Sequence, residues 1–163
     1  MERSDAPIDL LAGLLAPGGP GPSFQPPRDE QWSALAREAR VHRLESYLLH
    51  RLSGLGLADG VPAAVAAGLR GAARRDAARG VRLANHLARI LGECRERRLQ
   101  AVALKGACLG PLAYGDLGLR PMDDIDLLVR REELPRWEEL AGTLGYTPFL
   151  QKGRTDRKST RLN

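Results

Sequence analysis

The amino-acid sequence predicts an α+β protein, with a helical amino-terminal region followed by a small β-sheet core and flanking helices. Three observations carry that expectation. Apolar residues recur at helical spacing through two long stretches, residues 29–52 and 62–98. Three short apolar runs, at 99–104, 125–129 and 146–150, have the length of strands rather than helices. The last two runs are separated by a helix-length stretch that Gly145 ends.

Taken in order, Pro7 to Ala16 reads as a short helix with Ile8, Leu11, Leu14 and Leu15 on one side. Pro17 to Pro27 is rich in Pro and Gly and reads as a linker, so residues 1–27 are expected to be a flexible segment. Asp29 is placed to cap a helix reaching about Leu52. Its apolar positions Trp32, Leu35, Ala36, Ala39, Leu44, Leu48 and Leu49 fit a helical period imperfectly, but better than a strand period. The stretch from Gly54 to Gly60 breaks it. Pro62 opens a second helical stretch to about Arg98, with Gly71 and Gly80 as points of interruption. Its clearest stripe is Val81, Ala84, Leu87, Ala88, Leu91 and Cys94. Leu99 to Leu104 is the first strand. Ala107 to Tyr114 is a helix that Gly110-Pro111 splits or shortens. Ile125 to Val129 is the second strand, Arg131 to Leu144 a helix, and Tyr146 to Leu150 the start of a third strand. The division that follows is a helical region at 28–100, a sheet core at 101–151 and a basic tail at 152–163. There is no internal repeat.

The length suits one domain with a real core. Aromatics are few, so that core is mostly aliphatic. The net charge is +5, but Lys152, Arg154, Arg157, Lys158 and Arg161 face only Asp156 in the tail, and the remainder is almost neutral. The basic balance therefore argues little for nucleic acid, which stays open as a partner. Cys94 and Cys108 lack metal-ligand spacing and fit a reduced, cytoplasmic protein. No apolar run approaches a membrane span, and the first residues lack the pattern of a signal peptide.

The chemistry lies between Val102 and Val129. Side chains on a strand alternate faces, so Asp124 and Asp126 share one face while Ile125, Leu127 and Val129 share the other. Two carboxylates on one face of an apolar strand are costly unless a cation pairs them. Their backbones lie roughly 6.6 Å apart, and their side chains can converge on divalent ions about 3.5–4 Å apart, the spacing of two-metal phosphoryl-transfer sites. Upstream, Lys105-Gly106 sits at a strand-to-helix turn. Free backbone N–H groups and the helix dipole favour an anion there, Gly permits close approach, and Lys adds a mobile charge.

The run Leu104-Lys105-Gly106-Ala107, with Tyr114, Arg120-Pro121-Met122-Asp123 and Asp124-Ile125-Asp126-Leu127-Leu128-Val129, resembles the DNA polymerase beta-like nucleotidyltransferase superfamily. Within it, the resemblance is to a bacterial family known only as uncharacterised nucleotidyltransferases. It covers about residues 30–150. The resemblance implies a mixed β-sheet core, a nucleoside triphosphate substrate, Mg²⁺ or Mn²⁺ on Asp124 and Asp126, and phosphate binding by Lys105, Gly106 and Arg120. The chain has Gly106-Ala107 where that superfamily usually has Gly-Ser or Gly-Gly, so no hydroxyl is offered to a phosphate there.

Other residues have plainer readings. Asp123 is a surface charge or turn cap, and Tyr114 a packing residue more readily than a base-stacking one. Arg120 neutralises a phosphate or pairs with Asp123 or Asp124. His42, His50 and His86 have unrelated spacings. Arg70, Arg74, Arg75, Arg79 and Arg82 make a solvated helix face with intrahelical partners such as Asp76, or a grip for an anionic acceptor. The last eight residues resemble a translated sequencing adapter, which marks the tail as non-native and the chain as a truncated fragment. The third carboxylate of the superfamily is then expected beyond it, with Asp156 a poor substitute. The function expected of the full protein is nucleotidyl transfer to an unknown acceptor. The alternative is a noncatalytic, antitoxin-like partner protein that makes contact through its amino-terminal helices.

Overall fold

The computed structural model describes residues 6–22, 24–150 and 158–162, with residues 148–150 and 158–162 described by backbone alone. The fold is α+β. Helix α1 (Pro7–Leu15) starts on a proline, whose missing N–H costs nothing at a first turn. It is not a loose extension, because Leu11 and Leu14 are buried in the first core. Arg51 donates to the carbonyls of Leu14 (3.1 Å) and Ala16 (2.9 Å), supplying the cation that the last turn of α1 lacks.

The helix expected over 29–52 is two helices, α2 (Asp29–Val41) and α3 (Glu45–Gly54). Asp29 begins α2 and does not cap it. Instead the Gln31 side chain accepts the Arg28 backbone N–H at 2.9 Å. The break falls at Arg43, whose φ is +57°. The Arg43 N–H donates to Arg40 and the Leu44 N–H to Ala39 at 2.7 Å, a Schellman ending with arginine where glycine is usual. The break re-aims the stripe so that Leu35 and Ala39 on one helix, and Leu48 and Leu52 on the other, all enter one cluster with Trp32 and Leu69.

Helix α4 (Ala63–Arg97) runs 35 residues without interruption, about 52 Å at 1.5 Å per residue. Gly71 and Gly80 do not break it. Gly80 is a point of close approach, since a Cβ there would lie 3.0 Å from both the Cβ and the carbonyl oxygen of Leu117. The buried Ser46 hydroxyl donates to Asp76 at 2.5 Å, tying α3 to α4. The far end of α4 builds a second core from Ile90 and Cys94, joined by Leu99, Leu140, Ile125, Leu127 and Trp137.

Strand β1 (Ala101–Ala103) pairs antiparallel with β2 (Leu127–Val129) in the register Ala101↔Val129, Val102↔Leu128, Ala103↔Leu127. Between them lie α5 (Lys105–Leu109) and a wider π-helical turn, Gly110–Tyr114, so the expected helix changes type at Gly110-Pro111. A 3₁₀ turn, Arg131–Glu133, leads into α6 (Leu134–Thr143), and Gly145 (φ +88°) ends that segment. Strand β3 (Tyr146–Leu150) pairs antiparallel with β4 (Lys158–Leu162) in a second two-stranded sheet. The pairings among the described residues are all antiparallel.

Candidate functional site

Strand register builds the site. The β1–β2 ladder continues one step past Ala103, and the Leu104 N–H donates to the Asp126 carbonyl at 2.9 Å. The turn that starts α5 is thereby pinned beside the Asp124–Asp126 segment. Side-chain alternation holds along this segment. Ile125 and Leu127 pack against the second core, while Leu128, on the same face as Asp126, is exposed. Asp126 thus lies toward the uncovered face of the small sheet, the face of the exposed Val102 and Leu128. The regular strand starts only at Leu127, so both aspartates lie in the irregular run just before it.

Lys105 follows directly on Leu104. It has φ +49°, and its Nζ lies 2.8 Å from Asp126 Oδ2. The Asp126 side chain is 33% exposed, so this cation lowers the cost of holding a half-buried carboxylate. Asp124 is exposed. Gly106 is buried, and the space a Cβ would take is filled by Met122, with Cγ at 2.5 Å and Sδ at 2.6 Å. Any larger residue at 106 would thus have to displace the side chain just before Asp123. Close approach of a phosphate is not needed to explain the glycine.

Asp123 is not a plain surface charge. Arg43 Nη1 and Nη2 donate to its two oxygens at 2.7 and 3.1 Å, and Arg79 Nη1 lies 3.2 Å from Oδ1. The bidentate hydrogen bonds from Arg43 hold the Asp123 carboxyl below the usual carboxylate range, and they raise the Arg43 guanidinium in turn. Asp123 is thus taken, and Arg43 and Arg79 hold it in the place that the sequence offered to Arg120, which is half-buried. Arg79 pairs across to Asp123 rather than along its own helix, while Asp76 accepts from Ser46. Tyr114 meets Tyr47 edge-on with ring centroids 5.8 Å apart, in line with a packing role.

Among the described residues no group of three or more His, Cys, Asp or Glu side chains could hold a metal ion alone. Asp156 lies outside the described residues. Carboxylates such as Asp124 and Asp126 are the donor type that Mg²⁺ takes one or two of, its shell being completed by substrate phosphates and water.

The sequence singled out Lys105, Gly106, Arg120, Asp124 and Asp126; the contacts of Arg43 with Asp123 and of Met122 with Gly106 were not foreseen in it. Arg43 is marked by no Gly or Pro. The signal available was the slip in apolar phase between Ala39 and Leu44. Residues 28–161 match a protein family described as uncharacterised nucleotidyltransferase. No curated protein and no solved structure matches the chain.

Proposed function

The chain belongs to the uncharacterised nucleotidyltransferase family, and from that premise we propose that it binds a nucleoside triphosphate with Mg²⁺ and transfers the nucleotidyl group to an acceptor. The observation that carries this reading is the pinning of the Lys105-Gly106 turn against Asp126, through the Leu104 hydrogen bond and the 2.8 Å ion pair. The β1–β2 pairing thereby brings Lys105, a cation suited to phosphate, beside Asp126, a carboxylate suited to a metal.

Asp124 and Asp126 would hold Mg²⁺, which when bound neutralises phosphate charge and favours attack at phosphorus. Lys105 serves as counter-ion to Asp126 before substrate arrives, and its flexible stem lets it turn to the triphosphate. Arg120 contributes positive charge beside Pro121 and Met122. In the transfer, an acceptor oxygen bonds to the α-phosphorus, the bond to the bridging oxygen breaks, and pyrophosphate leaves.

The test is to supply nucleoside triphosphates labelled at the α- or the γ-phosphate, with Mg²⁺ and a cell extract as acceptor source. Label from the α position should enter an acceptor, and Asp124→Asn should prevent it. Transfer of γ label instead would overturn the reading in favour of phosphoryl transfer.

A further inference from the structure

We propose that Arg43 is a positioning residue that holds the metal-binding aspartates through Asp123, so that the helical region fixes the geometry of the site. The inference rests on the nucleotidyltransferase reading for its ligand and on independent geometry for its mechanism.

Three non-glycine residues among those described have left-handed backbone: Arg43, Arg98 and Lys105. Such a conformation is unfavourable for an L-residue. Strain of this kind persists where the surroundings impose it, often beside functional sites. Two of the three send a charged side chain to the same short run. Lys105 reaches Asp126 at 2.8 Å, and Arg43 reaches Asp123 at 2.7 and 3.1 Å from 80 residues away in sequence. Arg98 ends α4 in the same kind of turn, with the Leu99 N–H on the Cys94 carbonyl, and its side chain is exposed. Arg98 thus supplies the internal control: the same backbone without the contact.

The clamp is planar and two-pronged, which fixes orientation as well as distance. Arg79 from α4 adds a third contact to the same carboxylate at 3.2 Å. Asp123 is bonded directly to Asp124, so its carboxylate position limits the backbone that presents Asp124 and Asp126. No regular strand pairing extends over 123–125, and Met122 anchors the segment on its other side. Both side chains of the salt bridge are at least half exposed, so its worth lies in orientation more than in stability.

Glycine is the favoured residue at this turn position. Arg43→Gly should therefore melt at or above the temperature of the unchanged chain while losing the clamp. A merely structural role for Arg43 predicts the reverse, a lower melting temperature with site affinity intact. The experiment compares Arg43→Gly, Arg98→Gly, Asp123→Asn and the Arg43→Gly/Asp123→Asn pair in the full chain. The readouts are melting temperature, Mn²⁺·ATP affinity by calorimetry, and amide exchange of the segment around Asp124.

Arg43→Gly should weaken Mn²⁺·ATP by up to about 10-fold, the low end of the effect of removing a partner hydrogen-bonded to a metal ligand, because Asp123 acts on Asp124 only through the backbone. It should also speed exchange around Asp124, and adding Asp123→Asn should weaken binding no further. Arg98→Gly should leave both readouts unchanged. Unchanged exchange in Arg43→Gly, or losses that add in the double variant, would overturn the proposal. If the unchanged chain itself gives no Mn²⁺·ATP response, the nucleotidyltransferase reading fails, and the exchange comparison still decides whether Arg43 holds the segment.

Discussion

Substituting Gly106 by Ala tests how the turn and the aspartate segment are packed together. A Cβ at residue 106 would lie 2.5 Å from Met122 Cγ and 2.6 Å from its Sδ, well inside contact distance. Cγ is one bond from the Met122 Cβ, so relief needs a change of χ1 or a backbone shift. Met122 is 8% exposed, which leaves little open space for either. Overpacking of this kind costs about 1–3 kcal/mol. Replacing glycine by alanine in a helix returns up to about 1 kcal/mol, and less in a first turn such as this one. The net expectation is a destabilisation of about 1–2 kcal/mol, or a fall in melting temperature of roughly 2–8 °C for a chain of this size. The assay is thermal unfolding by circular dichroism in two backgrounds. In Met122→Ala, itself destabilised by its cavity, the remaining residue-122 Cβ lies 3.6 Å from the added methyl, an ordinary contact, so Gly106→Ala should be neutral or stabilising there. An equal penalty for Gly106→Ala in both backgrounds would refute the packing account. It follows that weaker nucleotide binding in a bulky residue-106 variant is no proof of phosphate contact, because the displaced Met122 directly precedes Asp123.

The remaining predictions concern other parts of the molecule. On α4, Gly92→Ala meets nothing within 4 Å and should stabilise by up to about 1 kcal/mol, measured by denaturant titration. Gly80→Ala should instead destabilise despite the same gain in propensity, because its Cβ would press on the Leu117 backbone at 3.0 Å. The Asp123 carboxyl has a lowered folded-state pKa, so its stabilisation is present above the unfolded carboxylate value of about 3.9 and is lost as pH falls through the lower folded value. The stability difference between the unchanged chain and Asp123→Asn should accordingly shrink as pH drops below about 4. Burial pushes the Cys94 thiol up, so at neutral pH a thiol reagent should modify the half-buried Cys108 first and reach Cys94 only on unfolding.

Local patterns made much of this fold legible. The helix at α1, the strand at β3 and the turn at Gly145 were readable because a proline start, an apolar run and a terminal glycine act over a few residues. The pattern that packs Ile125 and Leu127 on the core and leaves Leu128 exposed was readable for the same reason. What escaped was set by tertiary contact. The α2–α3 break carries neither glycine nor proline; an arginine takes the left-handed position, with Leu44 packed on the first core and the Arg43 side chain on Asp123. Gly80 looked like an interruption of α4, but serves the close passage of Leu117. The packing of Met122 against Gly106 is likewise a tertiary contact that no local pattern gives. A glycine in a sequence marks a need for space without naming what fills it.

The central claim, that Asp124 and Asp126 bind a metal-bound nucleotide, is tested most directly by calorimetric titration of the four nucleoside triphosphates into the full chain and into Asp126→Asn. Each titration is run with and without Mg²⁺. The account predicts that at least one nucleotide binds more tightly with Mg²⁺ than without, and that Asp126→Asn removes most of that gain while melting like the unchanged chain. Binding that ignores Mg²⁺, or a metal response that survives in Asp126→Asn, would contradict it.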